Sequence, residues 1–147
     1  MINDQMTSTT SELSEATRVL ARAGIESARS DAEWLFAHVL DVDRGRLAFV
    51  DEPDATARAR YRDLVARRAR RIPLQHIIGR AAFGPVDVAV GPGVFVPRPE
   101  TEVMLEWAVE SLRSVTDPLV ADLCSGSGAL AIAIAVSVPS ARVVAVE

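Results

Sequence analysis

ADLCSGSGALAIAIA, residues 121–135, is the stretch that decides the fold, because in it a glycine-spaced polar turn joins two apolar runs. The run LVADL at 119–123 predicts a buried β-strand that leads into the turn. Residues 129–138 alternate like a strand but are rich in alanine, and we predict a helix because a strand–turn–helix unit explains the turn. The segment ARVVAVE, 141–147, is expected to be a second buried strand. This order predicts a right-handed parallel crossover, which opens a doubly wound α/β sheet.

The N-terminal part of the chain has a different pattern and predicts a small all-helical domain over residues 1–73. Three segments carry apolar residues at helical spacing. They are 11–23, 30–40 and 55–70. In the second of them, Ser30 and Glu33 have the spacing of a capping box. Residues 1–8 are expected to be a loose tail.

A β-hairpin linker is expected over residues 74–98. Valine stands at every second position of 86–90, and the turn 91–93 leads into a second apolar piece at 94–96. A further helix is expected to begin at Pro99, since proline is favoured at the first helical position and acidic residues follow it.

Composition and charge exclude several classes of protein. The net charge of −4 gives no general attraction to nucleic acid, so direct nucleic-acid binding is not expected. The single cysteine, Cys124, excludes an internal disulfide framework, and no cysteine or histidine cluster has the spacing of a metal site. The N-terminus does not resemble a signal peptide, and the longest apolar run is shorter than the roughly 20 residues that a membrane span requires. We therefore expect a cytoplasmic protein.

Arginines are concentrated on and after the third predicted helix. They are Arg58, Arg60, Arg62, Arg67, Arg68, Arg70 and Arg71. They form either a docking face for an acidic partner surface or ribosome-associated RNA, or a solvated helix face with positive charge near its C-terminus, and the sequence favours the second interpretation.

The polar turn has the pattern of a ligand site. Residues 126–128 and Ala131 fit G-x-G-x-x-A, and Glu147 ends the second predicted strand, where a carboxylate can accept hydrogen bonds from ribose hydroxyls. This pattern suits NAD or any other adenosine-containing cofactor. Asp122 discriminates between them, because a carboxylate there would repel a pyrophosphate and attract the sulfonium and ammonium of S-adenosylmethionine, by about 4 kcal/mol per pair at 4 Å. The structural alternative is that Asp122 bonds N–H groups of the turn.

The remaining residues of the turn have separate expected roles. Gly126 and Gly128 permit positive φ and a close approach of the backbone to a ligand. Ser125 and Ser127 are expected to cap the helix that follows, whose first N–H groups suit a ligand carboxylate. Cys124 is expected to be a packing residue rather than a nucleophile, because no histidine lies near it in the sequence.

Longer motifs give a family resemblance. The stretch RRIPLQHIIGRAAFGPVDVAVGPGVFVPRPETE at 70–102, followed by VADLCSGSGALAIAIA at 120–135, resembles the HemK/PrmC family, the N5-glutamine methyltransferases of peptide chain release factors. The sequence DLCSGSG departs from the family's commoner DLGTGSG, with Cys124 in place of glycine and Ser125 in place of threonine. The family commonly has aspartate where this chain has Glu147.

The resemblance implies an α+β architecture. Residues 1–73 would be a helical domain that recognises the protein substrate, 74–98 a β-hairpin linker, and 99–147 the start of a class I, Rossmann-like, doubly wound α/β methyltransferase domain that is truncated after its second strand. The implied cofactor is S-adenosylmethionine. The implied reaction transfers its methyl group to the side-chain amide nitrogen of the glutamine in the Gly-Gly-Gln motif of release factors.

The resemblance also implies which residues bind the cofactor. To the turn and its two carboxylates it adds the segment around PRPETE. The expected cofactor-binding residues are Phe95, Arg98, Thr101, Asp122, Cys124, Ser125, Gly126, Ser127, Gly128 and Glu147. No catalytic residue is expected, because the family's Asn-Pro-Pro-Tyr motif does not occur in these 147 residues, so the chain alone is expected to bind cofactor weakly and to be inactive. The alternatives are an NAD(P)-dependent oxidoreductase and a non-catalytic helical module that binds a protein.

Overall fold

The structure, a computed structural model, describes residues 9–147. The predicted loose tail at 1–8 lies outside the described residues. The chain divides into two compact units, and the division falls between Ile78 and Gly79. Each unit has its own cluster of buried apolar side chains.

The first unit is helical throughout its regular structure, as predicted. In the described residues its elements are α1 (Thr9–Arg22), α2 (Ala28–Leu40), a 3-10 helix (Arg44–Phe49), α3 (Ala55–Ala69) and α4 (Leu74–Ile78). The largest fully buried side chains of its core are Leu20, Leu35, Phe36 and Tyr61. Because α4 packs against α2 and α3, the unit extends beyond the boundary expected at residue 73.

The predicted capping box of α2 is wrong. The helix begins at Ala28, so Ser30 already lies inside it, and the N-cap residue Ser27 makes no side-chain cap hydrogen bond. The Ser30 hydroxyl instead accepts a hydrogen bond from Arg44 at 3.1 Å, and Glu33 pairs with an arginine one turn earlier. Spacing alone could not distinguish a cap from an ordinary position in the first turns.

Several arginines of the basic cluster hold the helices together. Arg62 pairs with the buried Glu12 of α1 at 2.5 Å, and Arg68 pairs with the buried Asp31 of α2 at 2.7 Å. Arg71 donates to the carbonyl oxygens that follow α1. The interpretation of a solvated helix face is therefore wrong for Arg68, which is largely buried, whereas Arg62 and Arg71 remain exposed while they bond groups on other elements.

The second unit contains two small sheets and two α-helices among its described elements. They are β1 (Arg80–Phe83), β2 (Val86–Ala89), a 3-10 helix (Pro99–Thr101), α5 (Glu102–Leu112), β3 (Leu119–Leu123), α6 (Ala129–Ser137) and β4 (Arg142–Val146). The strands β3 and β4 are parallel, with Leu119 opposite Arg142 and Leu123 opposite Val146. The predicted strand, turn, helix and parallel strand are thus confirmed, including a helix for the ambiguous alanine-rich run.

The predicted hairpin has the wrong partner. The strand β2 pairs antiparallel with the preceding β1, and the two-residue loop Gly84-Pro85 joins them. Residues 94–96 form no strand, although a turn with a Val94 N–H to Gly91 oxygen bond of 2.9 Å lies just before them. Gly84 has a φ of +50°, and an added Cβ would lie 2.6 Å from a methyl carbon of Leu105, so glycine is required in the actual loop.

The described residues cover only one of the two faces of the parallel sheet. Val120 and Val143 pack against the buried cluster formed by the hairpin, α5 and α6. The opposite face carries Leu119, Leu123 and Val144, which are exposed. The prediction that both strands are buried is therefore wrong for this face.

The architecture is α+β, with an N-terminal helical part and few strands. Among residues 9–147, no helix is both long enough and apolar enough to cross a membrane.

Candidate functional site

A cleft of about 420 Å³ lies in the second unit at the carboxyl end of β3. It brings together nine of the ten residues expected to bind a cofactor. They are Phe95, Arg98, Thr101, Asp122, Cys124, Ser125, Gly126, Ser127 and Glu147. Gly128, the tenth, does not line the cleft and instead precedes α6 as its N-cap residue.

The turn between β3 and α6 is built from left-handed backbone. Cys124, Gly126 and Gly128 have φ values of 61°, 56° and 73°. Glycine adopts this region without a steric penalty, whereas an L-residue with a Cβ does not. The two glycines are thus required by the turn itself, and Cys124 occupies a position that would also suit glycine.

The turn is closed by backbone hydrogen bonds. The Ser125 N–H donates to the Val146 oxygen at the end of β4 at 3.1 Å, and the Gly128 N–H donates to the Ser125 oxygen at 2.8 Å. No side chain caps α6 within the described residues, so the expected capping by Ser125 and Ser127 is wrong. Ser125 and Ser127 line the cleft instead.

The two carboxylates of the cleft have different surroundings. An oxygen of Glu147 accepts a hydrogen bond from the Gly126 N–H at 2.5 Å. Oδ2 of Asp122 is buried and has no hydrogen-bond partner in the described part of the chain. The alternative role expected for Asp122, accepting a hydrogen bond from an N–H group of the turn, is therefore filled by Glu147 in this structure. A buried carboxylate oxygen without a partner is costly, and it favours a ligand that brings a donor or a positive charge.

A cationic side chain faces the cleft from the PRPETE segment. The guanidinium of Arg98 lies 5.1 Å from the centroid of the Phe95 ring, a cation–π arrangement. Thr101 follows in the short 3-10 helix, where its N–H donates to the Arg98 oxygen at 3.0 Å. The turn that begins α5 thus positions Arg98 beside the cleft.

Apolar side chains that the sequence did not single out complete the wall of the cleft. They include Phe83, Met104, Leu123 and Leu130. Phe83 lies on β1, a strand that the sequence pattern does not predict. The one sequence signal for it was its place directly before the Gly84-Pro85 loop.

The cleft can hold a small ligand that carries mixed charge. Its carboxylates are Asp122 and Glu147, and Arg98 supplies one positive charge, so a ligand with more positive than negative groups fits it by charge. Across residues 9–147 no three histidine, cysteine, aspartate or glutamate side chains are grouped so that they could hold a metal ion.

Comparisons with known proteins agree with the motif-based resemblance. Residues 12–79 match the family model described as the PrmC N-terminal domain. The chain is 57% identical over 142 residues to the release factor glutamine methyltransferase of Mycolicibacterium smegmatis, a match that covers 97% of this chain and 50% of that protein. The protein of the same name from Streptomyces coelicolor is 54% identical over 138 residues, with 92% and 48% covered.

A more distant relative gives the same result. The release factor glutamine methyltransferase of Deinococcus radiodurans is 42% identical over 139 residues, covering 92% of this chain and 49% of that protein. The resemblance to the HemK/PrmC family is thus confirmed, and the chain spans about half the length of the curated relatives that it matches.

Proposed function

We propose, from the resemblance to the HemK/PrmC family, that this chain forms part of a protein-glutamine methyltransferase. The enzyme would transfer a methyl group from S-adenosylmethionine to the side-chain amide nitrogen of the glutamine in the Gly-Gly-Gln motif of peptide chain release factors, a cytoplasmic reaction. The names of the relatives support the substrate. The single observation that supports the assignment of this cofactor is the buried, unpaired carboxylate oxygen of Asp122 beside the cleft.

The charges of the cleft fit S-adenosylmethionine. This cofactor carries a sulfonium, an ammonium and one carboxylate, which match in number and sign the two acidic side chains and the one arginine of the cleft. Asp122 would face the positive groups and Arg98 the carboxylate. At 4 Å and an effective dielectric of about 20, each such pair contributes about 4 kcal/mol of Coulomb energy before desolvation. A pyrophosphate would meet repulsion from the same Asp122.

We propose that Glu147 binds a ribose. Its carboxylate already accepts from the Gly126 N–H, and its remaining acceptor capacity is suited to sugar hydroxyls. The same hydrogen bond joins the end of β4 to the glycine turn. We therefore assign Glu147 two roles, in binding the ribose and in positioning the turn.

Residues of this chain would bind and orient the methyl donor but would not orient the acceptor. Bound S-adenosylmethionine supplies an electrophilic methyl group, which the cleft residues would hold in one orientation. A side-chain amide nitrogen is a poor nucleophile and has to be aligned with that methyl group. In the family an Asn-Pro-Pro-Tyr motif aligns the amide nitrogen. This motif does not occur in residues 1–147. We therefore propose that this polypeptide alone has no methyltransferase activity, and repeated turnover in an assay on it would contradict the proposal.

The helical part is assigned to recognition of the protein substrate. A groove of about 520 Å³ lies in the first unit, with apolar side chains of α1 and α3 along it and the Glu12–Arg62 pair at its edge. A groove of this kind can receive apolar side chains of another protein. For residues 99–147 we propose the start of a Rossmann-like, doubly wound methyltransferase sheet, which the parallel pair of β3 and β4 supports.

Calorimetric titration of the 147-residue chain with S-adenosylmethionine and with NAD tests the cofactor. We expect weak binding of S-adenosylmethionine and none of NAD. Asp122→Asn should weaken binding by about tenfold, because it removes the negative charge, and should leave thermal stability equal or higher, because an unpaired buried carboxylate is replaced. Asp87→Asn, at an exposed acidic residue of β2, is the matched control and should change neither quantity.

Two outcomes would overturn this assignment. One is tighter binding of NAD than of S-adenosylmethionine, which would favour an oxidoreductase. The other is unchanged S-adenosylmethionine binding in Asp122→Asn together with lower stability, which would make Asp122 a structural residue only.

A further inference from the structure

Seven arginines lie between residues 58 and 71, and they divide into two groups. Four of them bond other groups of the first unit, through ion pairs or through hydrogen bonds to carbonyl oxygens. The guanidinium groups of the other three, Arg60, Arg67 and Arg70, make no hydrogen bond or ion pair with any described residue. We call these three the arginine row. The contacts within the unit that account for the first group do not account for the arginine row.

The arginine row lies on the outward side of α3. Arg60 and Arg67 are seven positions apart, which places them on one line of the helix, and Arg70 follows three positions later. Arg60 and Arg70 are exposed, and Arg67 is half-buried. Asp63 is the one acidic residue in 58–71, so this side has an excess of positive charge. Positive charge is favourable in the last turn of a helix, but this effect does not extend to Arg60, which lies near the start of α3.

The arginine row follows one rim of the groove between α1 and α3. Arg62 and Ala66 line the groove, and Arg70 lies one turn further along the same line of the helix. The two acidic residues that line the groove, Glu12 and Glu15, are each paired with an arginine. Among the described residues along this groove, the unpaired charge is therefore positive and lies on the α3 side.

A groove with apolar walls and a cationic rim fits an amphipathic segment of a protein. A helical segment can place apolar side chains three or four positions apart in the groove, and carboxylates from the adjacent line on the arginines. Arginine binds a carboxylate through two parallel N–H donors. A nucleic-acid backbone would match the arginines but would leave the apolar walls uncovered, and α3 exposes no aromatic side chain in its described residues on which a base could stack.

We propose that the groove and the arginine row together receive an amphipathic helical segment of the protein substrate, with carboxylates on the edge that meets α3. This inference rests on the proposed role of the helical part in recognising that substrate, and it adds the chemistry of the segment recognised. A Gly-Gly-Gln motif has neither carboxylates nor large apolar side chains. The recognised segment therefore lies elsewhere in the substrate.

Binding of the Gly-Gly-Gln release factor of Mycolicibacterium smegmatis to the 147-residue chain tests this inference, with the dissociation constant measured at low and at high salt. We expect the wild-type chain to bind. The triple variant Arg60→Gln, Arg67→Gln, Arg70→Gln should bind about tenfold more weakly at low salt, because three exposed charge pairs are lost. The difference should shrink at high salt, because salt screens exposed charges.

A control variant and a second test variant accompany the triple variant. Arg46→Gln, Arg80→Gln, Arg113→Gln is the matched control, because it removes three exposed arginines elsewhere, and it should leave the affinity unchanged. Ala66→Glu places a carboxylate on the rim of the groove, one turn before Arg70, a spacing that stabilises a helix. It should weaken binding as much as the triple variant does, with thermal stability equal or higher.

The results that would contradict the inference are distinct from those that would contradict the proposed function. Equal affinity of the wild type, the triple variant and Ala66→Glu for the release factor, with S-adenosylmethionine still bound, would overturn the inference alone. Failure of the wild type to bind the release factor would overturn the recognition role of the helical part, and with it the inference. Binding of a short structured RNA that the triple variant loses, at unchanged affinity for the release factor, would assign the arginine row to nucleic acid.

Discussion

Cys124 is a cysteine in a backbone conformation that favours glycine. Its φ of 61° lies in the left-handed region, between β3 and the two glycines of the turn. An L-residue there costs about 1–2 kcal/mol relative to ordinary backbone, because its Cβ approaches the following carbonyl oxygen. We expect Cys124→Gly to raise the free energy of unfolding of the second unit by about 1 kcal/mol, after the loss of chain entropy that glycine brings is subtracted.

Urea unfolding monitored by circular dichroism measures this effect, and Cys124→Ala is its control. Alanine keeps the Cβ and removes the sulfur, so it should leave the stability close to that of the wild type. An equal gain in both variants would attribute the effect to the thiol and contradict the backbone explanation. The departure from the family's glycine at this position was visible in the sequence, but its left-handed φ required the structure.

Tyr61 links two helices of the first unit. Its hydroxyl donates to the Ala32 oxygen of α2 at 3.1 Å, and its ring lies 4.4 Å from that of Phe36, centroid to centroid. Burial raises the pKa of Tyr61 well above its ordinary value, and the negative charge of Glu12 adds to this shift. The folded state therefore favours the protonated phenol.

The raised pKa predicts how stability depends on pH. The stabilisation is fully present below the unfolded-state pKa of about 10 and is lost as pH rises toward the higher folded-state value. The chain has one tyrosine and no lysine, so Tyr61 dominates titration of the first unit above pH 10. We expect the free energy of unfolding, measured in urea between about pH 8 and pH 11, to fall above about pH 10.

Tyr61→Phe is the control for this pH dependence. It should be about 1 kcal/mol less stable at neutral pH, because the Ala32 oxygen loses its donor, and its stability should not decline above pH 10 through this group. The same decline in Tyr61→Phe and in the wild type would show that another group is responsible.

Helices were easier to predict from this sequence than strands. The helical segments of the first unit repeat apolar residues over many turns, and the structure places helices there. The strand Arg80–Phe83 has four residues, two of them alanine and one arginine, so propensity gave no signal for it. The valines of β2 predict a strand, but the Gly91-Pro92-Gly93 turn is the more obvious hairpin signal and predicts pairing with the segment after them instead of with β1.

The candidate site was predictable where local sequence determines it. The turn and the carboxylates that end the two parallel strands follow from a strand–turn–helix–strand pattern, and the structure places Asp122 and Glu147 along one cleft. The hydrogen bond from Gly126 to Glu147 joins residues 21 positions apart, and the wall formed by Phe83 depends on a strand that was not predicted. Such details depend on tertiary packing, which local patterns do not specify.

At the scale of the whole molecule, the first unit has the properties of an independent domain. All residues of its buried cluster lie between Leu13 and Ile77, and the buried Asp31–Arg68 pair also lies within it. We therefore expect residues 1–78 to fold alone, with helical circular dichroism and one cooperative urea transition. Residues 1–73 are the matched comparison, because they end at the boundary expected from the sequence and lack α4.

The shorter fragment distinguishes the two boundaries. Ile77 is buried in the cluster, and full burial of such a side chain contributes about 1.5–3 kcal/mol. The fragment 1–73 should therefore unfold at clearly lower urea concentration than 1–78. Equal midpoints would mean that α4 adds nothing to the helical domain and that the sequence boundary is the physical one. A fragment 1–78 without a cooperative transition would instead show that the helical core requires the rest of the chain.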